Sequence, residues 1–328
     1  MSHRLPLRLQ SPRRVSKILL FKNGRLMSKS EDNMLKFKKT EIEDIEIFKK
    51  YIGFSGELSC ESAFVNLLVW QSAYNNMWAE EDGQLIIKSG RGEDSSYRLP
   101  FGSDFLKGIN LIREYSGEEY PDFWVQEGRR LDNFKAYFGN KYVFEENRDA
   151  FDYIYLRSDL SELSGKKYHS KRNHISAFSK HYDWIYKPIT PDNIADVKLC
   201  AEKWYAENAD REDKYLRCER RGVETILDNM DLLGVRGGAV YVDGGVVAFT
   251  LGSKISDEIF DIHIEKALSD YAEAYTVINR EFACTLGEYK YINREDDMGL
   301  EGLRKAKLSY KPSILLKKYS CRKREDYE

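Results

Sequence analysis

The sequence predicts a mixed α/β (α+β) protein of two units, and three observations carry that prediction. The second half reads as strand, helix, helix, three strands, helix, strand, helix, strand. The first half follows a looser version of the same order, without a visible repeat. The chain has 328 residues, 42% hydrophobic and 13% aromatic, which suits two cores better than one.

Residues 1–33 stand apart, with eight Lys or Arg against only Glu31 and Asp32. They read as a basic leader or surface-binding arm, or as sequence ahead of a true start at Met34. Either way an unstructured extension is expected. The first unit is expected over 34–160. Thr40 and Glu43 have capping-box spacing, and Ile42, Ile45 and Phe48 follow helical spacing after them. A helix is predicted at 62–70, then strands at 76–79 and 84–88 around the turn Glu81-Asp82-Gly83. Helices at 105–115 and 130–138 and strands at 123–125, 142–144 and 152–156 complete it.

The second unit, 161–328, opens with a basic helix at 165–182 and a strand at 184–186. Helices at 191–207 and 219–229 precede strands at 239–242, 246–252 and 258–264. Asp243-Gly244-Gly245 is a hairpin turn between the first two. Tyr271, Ala274, Tyr275, Ile278 and Phe282 form an amphipathic stripe on a helix over 271–286. A strand at 291–292, a helix at 299–309 stopped by Pro312 and one last strand at 314–319 end the chain.

Bulk composition excludes several classes. Charged residues make up 32% but balance to a net charge of −2, unlike a general nucleic-acid coat, so no DNA partner is expected. The five cysteines are scattered and never form a C-x-x-C pair, which reads as reduced thiols in a cytoplasmic protein. No apolar run approaches the ~18 residues of a membrane span, so any membrane contact is peripheral. His169, His174 and His181 lack the i, i+4 spacing of a helical metal clamp, and no metal site is expected.

Three segments carry polar residues that a core does not explain. In 165–182, Tyr168, Ile175, Phe178 and Tyr182 share a helical face flanked by Lys167, His174 and His181. This is an anion-binding helix or an ordinary amphipathic one. In 258–264, Asp261 and His263 alternate against Ile262 and Ile264, giving a polar stripe or a wet edge strand. In 291–312, Lys307 shares a stripe with Leu300 and Leu303 and is flanked by Arg304. A cation on a buried stripe needs an anion or a cleft. The preceding Asn293-Arg294-Glu295-Asp296-Asp297 offers anions, and the alternative is an internal salt-bridge network.

The blocks GKKYHSKRNHISAF, HIEKA and YINREDDMGLEGLRKAKLSYKP resemble the family grouped with the C-terminal domain of phosphatidylglycerol lysyltransferase, over roughly residues 34–320. The resemblance implies two tandem GNAT-like (acyl-CoA N-acyltransferase-like) domains with mixed central sheets, related to the Fem-type aminoacyltransferases. It implies aminoacyl-tRNA as donor, no tightly bound cofactor, and a lipid headgroup or a soluble amine or hydroxyl as acceptor. An ordinary GNAT enzyme cradles coenzyme A with a glycine-rich loop. The equivalent stretch here, Glu265 to Ala272, has no glycine and carries acids, which counts against acyl-CoA as the alternative donor. A non-catalytic binder of anionic ligands on the same scaffold is a further alternative.

On this resemblance the expected roles are as follows. Asp261, His263 or Glu265 takes the proton, and Lys266 or Lys307 stabilises the developing negative charge. Lys167, Lys171, Arg172, Arg304, Lys305 and Lys311 hold acceptor-end phosphates of tRNA. Tyr168, Asn293, Arg294 and Tyr310 line the substrate, and Glu295 and Asp296 read a cationic amino acid.

Overall fold

The computed structural model describes residues 20–22, 25–27, 35–52 and 56–325. Within the basic leader, β1 (Leu20–Lys22) and β2 (Arg25–Met27) pair antiparallel, where no structure was expected. The rest of that segment, Met34 included, lies outside the described residues.

The first half contains α1 (Ile45–Ile52), α2 (Phe64–Tyr74), β3 (Met77–Glu81), β4 (Gln84–Ser89), β5 (Ser96–Tyr97), β6 (Phe101–Gly102), α3 (Phe105–Ser116), β7 (Phe123–Gln126), α4 (Arg129–Phe138) and β8 (Tyr142–Glu146). The capping box before α1 sits one residue on from the expected position: the Glu41 N–H donates to the Asp44 carboxylate at 2.9 Å. Then follow β9 (Asp152–Leu156), α5 (Arg157–Glu162), α6 (His169–His181), β10 (Trp184–Pro188), α7 (Ile194–Glu207), α8 (Lys214–Asp228) and α9 (Met230–Leu233). The chain continues with β11 (Val235–Val242), β12 (Gly245–Lys254), β13 (Ile259–Ala267), α10 (Ala274–Cys284), β14 (Tyr291–Asn293), α11 (Glu301–Leu308), β15 (Ile314–Leu316) and β16 (Lys318–Lys323).

Two mixed seven-stranded sheets result. One runs β3-β4-β5-β7-β16-β8 with β6 also on β4, and the other runs β10-β11-β12-β13-β14-β9-β15. The expected boundary near residue 160 does not divide them. β9 pairs with β14 and β15 in the second sheet, while β16 inserts between β7 and β8 in the first. The single last strand expected at 314–319 is therefore two strands in different sheets, with only Lys317 between them. The stretch from Ile314 to Cys321 hides that change of sheet, because no Gly or Pro punctuates it.

One apolar core also crosses the halves. It gathers Phe48, Phe64 and Leu67 from the first with Val197, Ile226 and Phe249 from the second. α2 and α8 pack so closely that a Cβ on Gly222 would lie 2.5 Å from Val69 Cγ1. Glycine at that position is what permits the approach.

The seam holds a buried ion pair. Lys318 Nζ lies 2.7 Å from Asp152 Oδ1, both side chains fully buried. The Cys60 N–H (2.9 Å) and Asn293 Nδ2 (3.0 Å) donate to Asp152 Oδ2, and Glu61 lies 3.6 Å from the ammonium. Burial alone would push the Asp152 carboxyl up, but Lys318 and these hydrogen bonds outweigh it and hold it below its ordinary value. Burial lowers Lys318, and Asp152, Cys60 and Glu61 together raise it well above its usual range. Both partners therefore stay charged. Removing one strands the other in a dry seam, a cost of about 3–5 kcal/mol, whereas a matched apolar pair avoids it. Lys318→Met is expected to lose about that much stability in urea unfolding, and the double variant Asp152→Leu/Lys318→Met to recover most of it.

Candidate active site

The site forms where two parallel strands part. β13 and β14 pair only over Ile259–Asp261 and Tyr291–Asn293. β14 then ends while β13 continues to Ala267. At the same place the register with β12 shifts: Leu251 faces Ile264 and Gly252 faces Ile262, leaving His263 as the extra residue. A bulge of one residue reverses the side-chain alternation beyond it. The close pairing also needs Gly252, where a Cβ would lie 2.3 Å from the Asp261 carbonyl oxygen.

The bulge corrects one expectation. Ile262 and Ile264 do not share a face; they enter different cores. Asp261 and His263 do share one, toward the seam with the first half. Glu265 emerges on the opposite side, against α10, where Asn279 donates to it at 3.2 Å.

The seam side is acidic. His263 is held at both nitrogens, with Nε2 2.8 Å from Ser253 Oγ and Nδ1 3.1 Å from Glu295 Oε1. Asn66 of α2 donates to the same Glu295 oxygen at 3.0 Å, which brings the first half into the cluster. Asp261 lies 3.4 Å from His263 Nδ1, is fully buried, and neither of its carboxylate oxygens has a hydrogen-bond partner among the described residues. Burial, then Glu295 and Asp152, push its carboxyl well above the ordinary range. Asp296 is raised to about 6, mainly by burial. Ligand atoms of Asp261, His263 and Glu295 lie within 4.8 Å of one another, a set able to hold a cation, either an ammonium group or a metal.

The α10 side is cationic. Arg294 pairs with Glu265 at 2.7 Å, is packed against the rings of Tyr155 and Tyr310, and has one buried nitrogen, Nη1, without a hydrogen-bond partner among the described residues. Lys171 of α6 sits 3.8 Å from the Tyr310 ring centroid. Burial first, and the Arg294 charge second, lower its pKa to about 8. Two cations against one carboxylate, with a spare guanidinium nitrogen, give this side the chemistry to hold an anion. The strand opening is thus flanked by acids on one side and by bases on the other.

Other expected residues are committed elsewhere. Lys266 points to the α7–α8 side, ion-paired with Glu219 at 2.7 Å and stacked on Trp204, so it does not face Glu265. Lys307 is buried, but it donates to main-chain carbonyls of Arg294 (2.6 Å) and Asp296 rather than to carboxylates. It holds the 293–297 loop in shape. Leu300 and Leu303 are exposed, so Lys307 shares no buried stripe with them. Lys167 pairs with Asp159, and Arg172 caps the carbonyls of Leu163 and Gly165. Tyr168 is buried and donates to the Tyr310 carbonyl, while Asn293 ties Asp152 to Leu58. Arg304 is paired with Asp297 and Asp149, and Lys305 and Lys311 are exposed on the surface.

Ser253, Asn66, Asn279 and the Asp152–Lys318 pair escaped the sequence reading. Only Asn66 left a trace, as the single polar residue in the apolar run from Ala63 to Trp70. A separate cavity of about 290 Å³ in the first half is lined by matched pairs, Arg98 with Glu61 and Arg130 with Glu57.

Comparison with known proteins agrees with this architecture. The model of the family "Phosphatidylglycerol lysyltransferase, C-terminal" matches residues 54–322. The chain belongs to that family. A conserved protein of unknown function from Bacteroides thetaiotaomicron is 38% identical, with TM-score 0.81, covering 89% of this chain and 100% of that one. The C-terminal domain of a putative lysylphosphatidylglycerol synthetase from Agrobacterium fabrum shares the fold at 13% identity and TM-score 0.62, covering 87% of this chain and 93% of that one. An uncharacterized protein of Mycoplasmoides gallisepticum is 23% identical over 178 residues, which span 53% of this chain and 56% of that protein, about half of each. In this lysyltransferase-family chain, Lys307→Met is expected to leave two loop carbonyls unsatisfied. It should lower stability by about 1–3 kcal/mol in chemical denaturation and loosen the loop that carries Arg294 and Glu295.

Proposed function

We propose that this protein is an aminoacyltransferase, moving an amino acid from aminoacyl-tRNA to the amine or hydroxyl of a lipid headgroup or small acceptor. Family membership over residues 54–322 carries the reaction class. The local support is the separation of charge at the strand opening. An aminoacyl-tRNA end presents an ammonium group, an ester carbonyl and a nearby phosphate. Asp261, Glu295 and Asp296 suit the ammonium, while Lys171 and Arg294 suit the phosphate and the oxygen that gains charge.

The aminoacyl ester is already activated, so positioning and one proton transfer account for most of the work. The acceptor attacks the ester carbonyl, and the bond to the ribose oxygen breaks as that oxygen receives, from His263, the proton the acceptor gave up. His263 takes the acceptor's proton, with Ser253 2.8 Å from Nε2 placed to relay it and Glu295 orienting the ring. The exposed row Met298, Leu300 and Leu303, directly after the acidic loop, favours a lipid acceptor. No helix among the described residues is long and apolar enough to cross a membrane.

Acyl-CoA as donor is disfavoured in the turn that leads into α10. The Ser269 N–H there already donates to the Glu207 carboxylate at 2.9 Å, and Asp270 and Glu273 stand beside it. A pyrophosphate would meet acids where it needs free N–H groups.

The decisive assay offers a radiolabelled pool of mixed aminoacyl-tRNAs, with a lipid and small-amine extract and a ribonuclease control. Label is expected to enter the extract and to be lost with ribonuclease. No transfer, with thermal stabilisation by coenzyme A, would replace this reading with an acyl-CoA enzyme; ligand binding without turnover would replace it with a binding protein. His263→Gln is expected to lower kcat by about 10²–10⁴ with the fold intact by circular dichroism. Lys171 loses its charge as pH rises through about 8, so kcat/KM is expected to fall above that pH. Lys171→Arg, which stays charged, should shift that falling limb upward.

A further inference from the structure

A second cavity, about 260 Å³, lies where α2 of the first half meets α8 of the second. It is separate from the strand opening and differs from the 290 Å³ cavity in one respect. Its lining contains Lys39, Arg91 and Arg221 and no Asp or Glu. None of these three cations forms an ion pair among the described residues. All three lie at exposed positions around the cavity, so their charged ends are open to a ligand. Bringing them together costs Coulomb energy unless an anion joins them.

The cavity is built, not incidental. Its floor is the close α2–α8 contact that Gly222 permits against Val69, and beside it Ser72 Oγ lies 3.1 Å from Cys218 Sγ. The neighbouring amides are fixed: Gln71 both donates to and accepts from the Thr40 backbone, at 3.0 Å each, and Asn75 donates to the Gly90 carbonyl at 2.7 Å. The walls are therefore set while the cationic side chains stay available. Lys39 and Arg91 come from the first half and Arg221 from the second, so one anion can bridge the two.

We propose that this cavity binds a small phosphate-bearing anion, of the size of pyrophosphate or a phosphate monoester, which ties the Lys39 and Arg91 segments of the first half to α8. The volume is at the small end for ligand pockets and suits a compact, multiply charged group better than a nucleotide. Guanidinium forks match phosphate oxygens bidentately. A bound anion that bridges the halves would stabilise the folded chain by mass action.

The test titrates the full-length protein with sodium pyrophosphate and, separately, inorganic phosphate, at matched ionic strength with chloride as control. Calorimetry and thermal unfolding are read together. A saturable site that persists in Lys171→Met, with a rise in Tm, is expected. Arg221→Gln and Arg91→Gln, both at exposed positions, should each weaken binding by about tenfold or more. Lys171→Met, at the other cationic site, should leave it unchanged, which separates this proposal from the transferase reading. No saturable binding overturns the proposal. So does binding that survives Arg221→Gln, or that is lost in Lys171→Met instead. A salt-dependent loss of tRNA binding in Arg221→Gln without any pyrophosphate site would assign the cations to RNA and overturn it as well.

Discussion

The architecture depends on a lysine and an aspartate that each start a strand in the opposite sheet from its sequence neighbours. Asp152 opens β9 in the second sheet, and Lys318 opens β16 in the first. Their 2.7 Å contact is dry, so its two charges are stable only as a pair. Each strand is covalently tied to one half and hydrogen-bonded into the other. The pair fixes where those crossings lie relative to each other. Asn293 donates to Asp152 and accepts the Glu295 N–H at 2.7 Å, so the same contact positions the loop that supplies Arg294 and Glu295. The geometry of the candidate site and the union of the two halves thus share one set of hydrogen bonds.

A single inserted residue then divides the charges. Without the bulge at His263, regular alternation would put Asp261, His263 and Glu265 on one face. That face would hold three acids with Glu295, each raising the cost of ionising the next. With the bulge, Glu265 leaves to neutralise part of Arg294, and His263 stays with Asp261 and Glu295. Gly252 makes this possible because it has no Cβ to strike the Asp261 carbonyl. The Asp261 carboxyl, buried with no hydrogen-bond partner among the described residues, costs stability, a common feature of sites organised for a ligand of opposite charge.

Most elements were legible in the sequence because their signals are local. The α10 stripe, the Asp243-Gly244-Gly245 hairpin and the order of the second half follow from periodicity and turn chemistry. The polar stripe on β13 and the acid-rich loop after β14 were also visible as residues with no core role. What stayed hidden depends on contacts between distant segments. Lys318 read as one more residue in a last strand, since nothing local tells a strand which sheet to join. Lys307 was correctly placed as a buried cation, but its partners are carbonyls, which every sequence has. Ile262 and Ile264 were expected on one face and are parted by a bulge that leaves no strong signature beyond the glycine on the opposite strand.

The central claim is that the transferred group sits at the opening between β13 and the end of β14. A crystal structure with a stable, amide-linked aminoacyl analogue of the tRNA acceptor end tests it most directly. The account predicts the amino acid's ammonium among Asp261, Glu295 and Asp296, its carbonyl beside His263, and the terminal phosphate near Lys171 and Arg294. An analogue seated instead in the first-half cavity between Glu57 and Arg130, with the β13 opening unchanged, would contradict it.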